Sequence, residues 1–149
     1  MTLTTSPAYS APNTGSARKI RVMIVEDSAV IRGLLTRWLS AEADIDVVGT
    51  ANNGREAIER AGECTPDVIL LDIEMPIMNG VDALPAILKV APKARVIMAS
   101  TLTQRGGEVT IKALAAGASD YLAKPEAQMA GAPDYKRDLL LKVRVLGSR

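Results

Sequence analysis

The 149-residue chain contains no histidine. That absence excludes a serine–histidine–aspartate triad, a cysteine–histidine pair and any histidine metal site built within this chain. Phenylalanine is also missing, and aromatic residues make up only 3% of the sequence. A stacking platform for single-stranded nucleic acid needs several aromatics and is not expected. Charge of one sign is lacking too: 18 basic residues face 17 acidic ones, for a net +1. So small a balance argues against a dedicated DNA-binding face. The one cysteine, Cys64, precludes an internal disulfide and fits a reducing compartment. No apolar run approaches the roughly 18 residues that a membrane helix requires. The first 17 residues are uncharged and rich in Thr, Ser, Pro and Ala, with neither the basic start nor the apolar stretch of a signal peptide. They read as a disordered tail, and the protein as soluble and cytoplasmic.

The whole sequence is 48% hydrophobic, enough for an aliphatic core of Val, Ile, Leu, Ala and Met. The periodicity alternates between strand and helix. Strands are expected at 20–25, 45–48, 67–71, 95–99 and 120–123. Helices are expected from Ser28, as N-cap, through Leu39, then at 54–61, about 82–90, 108–116 and from Asp134 through Val143. Glu56 and Arg60 are spaced for an i,i+4 ion pair. Pro85 is compatible with the third helix only in its first turn, which leaves that start uncertain. Gly117 is a candidate helix-terminating residue. Strands this apolar must be covered on both faces, as parallel strands with helical crossovers are. The expected fold is therefore a right-handed doubly wound α/β sheet, with its ligand crevice at the carboxyl ends of the strands.

Those ends carry a particular set of side chains. The first strand ends in Glu26-Asp27, the third in Asp72, the fourth in Ser100-Thr101 and the fifth in Lys124. Folding would bring three carboxylates, a hydroxyl and an ammonium to one rim. Two carboxylates 4 Å apart repel by about 4 kcal/mol at an effective dielectric near 20, a conflict that a divalent cation removes. Ligands that are all oxygen favour Mg²⁺, with Mn²⁺ as a substitute. A cation beside a lysine makes a phosphate site. Neither a P-loop nor a Gly-x-Gly-x-x-Gly turn follows the first strand, so a bound nucleotide is not expected. The phosphoryl group would instead be carried covalently, on a carboxylate.

With these residues in place, the sequence resembles the receiver domains of two-component response regulators. The resemblance rests on Glu26-Asp27-Ser28, on Asp72 with Met75-Pro76 and Asn79-Gly80, on Ser100, and on Gly117-Ala118-Ser119-Asp120-Tyr121-Leu122-Ala123-Lys124-Pro125. It covers roughly residues 19–145. Within that family the sequence is most similar to the regulatory domains of CheB-type chemotaxis methylesterases, through Asp72-Ile73-Glu74-Met75-Pro76, Ser100-Thr101-Leu102-Thr103, Gly107-Glu108-Val109-Thr110 and Ala113-Leu114. The resemblance implies a flavodoxin-like (βα)5 fold with strand order 2-1-3-4-5, a receiver domain at 18–146, and 147–149 as tail or linker. It implies that Asp72 takes a phosphoryl group from a phosphohistidine on a CheA-like sensor histidine kinase. It also implies Mg²⁺ on Asp27, Asp72 and the Glu74 backbone carbonyl, with Glu26 acting through a metal-bound water. Lys124 and Ser100 would contact the phosphoryl group, and Tyr121 would rotate inward in response. The Lys124–Pro125 bond is often cis in such domains. The face from strand four to helix five would then control a CheB-type methylesterase domain or a separate target, without nucleic acid or membrane.

Three departures from the family pattern stand out. Glu26 replaces the commoner aspartate, Asn79 replaces an aspartate before Gly80, and the residues of a methylesterase are missing. A chain without histidine cannot carry that enzyme's chemistry, so an excised regulatory domain and a stand-alone receiver are both compatible. Beyond phosphorylating and dephosphorylating itself, no enzymatic activity of the chain is expected. An aspartate-nucleophile phosphohydrolase is the rival enzyme reading. Its Asp-x-Asp motif belongs at the end of the first strand, whereas here Asp72-Ile73-Glu74 ends the third. A receiver-like module that works without metal or phosphate is the rival binding reading, and intact Asp27, Asp72 and Lys124 argue against it.

Overall fold

A computed structural model describes residues 18–100, 108–123 and 132–148. Five strands alternate with five helices: β1 (Ile20–Val25), α1 (Ala29–Ser40), β2 (Ile45–Ala51), α2 (Gly54–Cys64), β3 (Val68–Asp72), α3 (Gly80–Val90), β4 (Arg95–Ser100), α4 (Glu108–Ala115), β5 (Asp120–Ala123) and α5 (Ala132–Gly147). All strand pairs are parallel, in the order β2-β1-β3-β4-β5. This is the doubly wound, flavodoxin-like sheet that the residues and the resemblance call for.

The pleat divides the core into two layers. Met23, Val25, Ile69, Leu71, Val96 and Met98 point to one face, where Ala57 and Ala61 of α2, Leu84 and Ile87 of α3 and Ala113 of α4 cover them. Val22, Ile24, Val68, Leu70 and Ile97 point to the other, against Leu35 and Leu39 of α1 and Leu139 and Val143 of α5. The three central strands are buried on both sides, which is why their sequence is an unbroken apolar run rather than an alternation.

Four elements differ from the sequence reading by more than one residue at an end. β2 continues to Ala51, because its register against β1 shifts between Val22 and Met23, so that Met23 pairs with Gly49. The shift restores pairing beyond the apolar run. α2 extends three residues further, to Cys64, and ends with Thr65 in the left-handed region at φ 46°. α3 starts at Gly80, with the Asn79 side chain accepting the Asp82 N–H at 2.8 Å, so Pro85 lies in the helix body and not in its first turn. Ala83, Leu84 and Ile87 are fully buried on that helix, and their packing offsets the lost backbone bond. α5 begins at Ala132, and Pro133 then falls in its first turn, where no N–H partner is needed.

Other local expectations are met. Ser28 caps α1 by accepting the Ile31 N–H. Arg60 meets Glu56 at 3.3 Å. Gly117, at φ +118°, closes α4 with the Ala118 N–H on the Ala113 carbonyl and its own N–H on the Leu114 carbonyl. That pair of bonds needs a left-handed residue, which glycine supplies without strain. Cys64 is a half-buried free thiol that donates to the Val48 carbonyl at 3.3 Å. The expected tail at 1–17 and the Lys124–Pro125 bond lie outside the described residues. No described helix is long and apolar enough to cross a membrane.

Candidate phosphoacceptor and metal site

The carboxyl ends of β1 and β3 are adjacent because the two strands pair directly, Val25 against Leu71. The residues that follow therefore converge. One carboxylate oxygen from each of Glu26, Asp27 and Asp72 lies within 4.8 Å of the others. Asp72 is fully buried, Glu26 nearly so, and Asp27 is exposed. The pocket thus has two acidic walls inside and one at its mouth. At such spacing each pair of bare carboxylates repels by about 3.5 kcal/mol at an effective dielectric near 20. A small hard cation fits this donor set: three oxygens from two loops, with solvent at Asp27 for retained waters.

Backbone groups hold the acids in place. Glu26 accepts the Ser28 N–H at 3.0 Å, and Asp72 accepts the Glu74 N–H at 3.2 Å. The second bond sets the Glu74 backbone against the Asp72 carboxylate, where the sequence expectation put a metal-binding carbonyl. Ser100 ends β4, one residue beyond Ala99, which pairs with Asp72; its side chain is buried. The hydroxyl is therefore at the same rim, on the next strand. Tyr121 lies in β5 opposite Met98, with its side chain exposed at the sheet edge. Lys124 and Thr101 fall outside the described residues.

Three supporting roles were not read from the sequence. Arg32, four residues beyond the Ser28 cap, donates to the Glu26 backbone carbonyl at 2.8 Å and fixes the turn that carries both acids. Its only sequence signal is that spacing. Gly80 approaches so closely that a Cβ there would collide with the Asp72 carbonyl oxygen. No side chain fits, and the Asn79-Gly80 turn signal concealed this packing role. Tyr135 of α5 lies against Trp38, with ring centroids 6.0 Å apart, and its buried hydroxyl has no hydrogen-bond partner among the described residues. Burial first, then the charges of Glu26 and Asp138, holds its phenol well above the ordinary value of 10.0.

Over residues 22–131 the chain matches the response regulator receiver domain family. It belongs to that family, the class that the parallel sheet and the acidic rim define. Its likeness within the family is to CheB-type chemotaxis proteins. It is 50% identical over 141 residues to the protein-glutamate methylesterase/protein-glutamine glutaminase of Maricaulis maris, an alignment that covers 93% of this chain and 35% of that protein. The chain therefore spans about a third of that relative's length. The response regulator domain of Thermotoga maritima CheB superposes with a TM-score of 0.80 at 44% identity, covering 89% of this chain and 98% of that one. A CheX-CheY-BeF3-Mg+2 complex from Borrelia burgdorferi aligns with a TM-score of 0.75 at 27% identity, over 92% of this chain and 96% of that one.

Proposed function

We propose that this chain is a phosphoryl-accepting switch in which Asp72 is the acceptor and a CheA-like histidine kinase the donor. The observation that carries the reading is the convergence of Glu26, Asp27 and Asp72 within 4.8 Å at the end of the central strands. The Mg²⁺ of the similar Borrelia complex supports it.

An Asp72 carboxylate oxygen donates its pair to phosphorus and forms the O–P bond. The P–N bond breaks, and its electrons return to the donor's imidazole nitrogen, which takes up a proton from solvent. Asp27, Asp72 and the Glu74 carbonyl would hold Mg²⁺ or Mn²⁺, with Glu26 reaching it through water. The ion would neutralise the carboxylates and the transferring phosphoryl oxygens. Burial of Asp72 excludes water and orients the nucleophile, while Arg32 and Gly80 keep its surroundings rigid. Lys124 would balance a phosphoryl oxygen, and the Ser100 hydroxyl would donate to another. Tyr121, exposed beside β4, would swing inward as Ser100 moves. The strand-four to helix-five face would then change its partner, a local charge event with a distant readout.

In a parent of the relatives' length, the effect would be relief of inhibition of a cytoplasmic methylesterase. A stand-alone receiver with a separate target protein would use the same chemistry. The test is labelling by acetyl phosphate with and without Mg²⁺. The parent chain should be labelled only with the ion, and Asp72→Asn should lose labelling by at least 100-fold. Labelling that survives Asp72→Asn would move the acceptor elsewhere.

A further inference from the structure

The loop that leaves Asp72 carries a strained, exposed apolar tip. Ile77 has φ 70°, in the left-handed region, and the Met78 N–H bonds the Pro76 carbonyl at 2.7 Å. An i to i+2 bond around a positive-φ residue is the strained form of the γ-turn, and a β-branched side chain is the worst occupant of that centre. The same side chain is 74% exposed. Asparagine or glycine would relieve the strain and remove the apolar exposure together. Neither folding nor solubility accounts for isoleucine here.

Both ends of the turn are pinned. The Met78 carbonyl accepts the Gly54 N–H at 3.0 Å, and the Gly80 N–H bonds the Ile73 carbonyl at 3.0 Å. Ile77 is thus presented on a fixed platform five residues beyond Asp72. Because Asp72 is fully buried, a phosphoryl group can reach it only through the pocket mouth. A small phosphodonor passes that mouth alone. A protein donor must bring its own surface down on the rim, and Ile77 is the exposed apolar side chain of the loop that leaves that rim.

We infer that Ile77 is a donor-specificity residue, seated in the apolar surface beside the phosphohistidine of a protein donor and idle toward small phosphodonors. This rests on the function proposed above and names how that site selects its partner. Strain of this kind, kept by a β-branched residue in the loop that leaves the acceptor, points to function rather than to folding.

The test compares two donors on the full chain: acetyl phosphate, and a ³²P-labelled CheA-type phosphotransfer domain that labels the parent. Ile77→Asn should melt at or above the parent temperature and label from acetyl phosphate within twofold of the parent rate. Its transfer rate from the phosphohistidine domain should fall at least tenfold, and Ile77→Val should restore it. Unchanged transfer from the protein donor overturns the inference. So does equal slowing with both donors, which would place the effect in the pocket. Failure of the underlying function has a separate signature, labelling that survives Asp72→Asn.

Discussion

The two ends of one sheet treat their acids in opposite ways. At the amino end, Asp67 precedes β3 and is saturated: it takes the Arg18 guanidinium at 2.8 Å on one oxygen and the Arg21 N–H at 2.9 Å on the other. Arg21 in turn reaches the Cys64 and Thr65 carbonyls at the end of α2. At the carboxyl end, Asp72 closes the same strand, but there three carboxylates crowd within 4.8 Å and two of them are buried. The length of β3 separates an aspartate held by two arginines from one that faces two further carboxylates. The lesson is one of sign. Removing a charge should weaken the first end and relax the second.

Removing the acid at position 72 is expected to have the largest effect. Without Mg²⁺, Asp72→Asn should raise stability by about 2 kcal/mol, read as a higher denaturation midpoint, because carboxylate repulsion falls. The parent chain should melt at a higher temperature with Mg²⁺ than without it, and Asp72→Asn should lose that rise. A destabilised variant would mean that the trio is already balanced. The matching change at the other end is Asp67→Asn, expected to lower stability by about 1–2 kcal/mol as the Arg21 N–H and Arg18 lose an ionised partner. Equal signs for the two variants would erase the contrast.

A finer probe of the carboxyl end is Tyr135→Phe. Removing a buried hydroxyl that has no partner among the described residues should stabilise the chain by about 1 kcal/mol. The smallest effect belongs to an exposed pair beside the first residues of β1 and β2. Arg144 grips Asp44 through two bonds, of 2.8 and 2.9 Å, and these hold the Asp44 carboxyl below its ordinary 3.8. A depressed carboxylate contributes above its unfolded pKa and loses that contribution as pH falls through the folded value. A double-mutant cycle should therefore give about 0.5 kcal/mol of coupling at pH 7, shrinking as the pH is taken below the ordinary carboxylate range and weakened by salt.

The carboxyl rim was legible in the sequence because position alone reveals it. An apolar run ending in acid places that acid at a strand end, and β1 and β3 had only to be neighbours for Glu26, Asp27 and Asp72 to meet. What was illegible depended on distant contacts. Pro85 in mid-helix is tolerated because Leu84 and Ile87 are buried against the sheet, which no local propensity reports. The length of β2 depended on a register shift opposite Met23. Gly80 looked like a turn residue, although its need for a bare Cα comes from the Asp72 carbonyl. Nothing in the letters Pro-Ile-Met announced a left-handed isoleucine, because propensity assigns that conformation to glycine and asparagine.

The most direct measurement is chemical mapping of the acceptor. The parent chain would be treated with acetyl phosphate and Mg²⁺, reduced with borohydride to convert an acyl phosphate to homoserine, and sequenced by mass spectrometry. The account predicts homoserine at position 72 alone, and none when the ion is chelated. Homoserine at Asp27, or at position 72 without the cation, would contradict it.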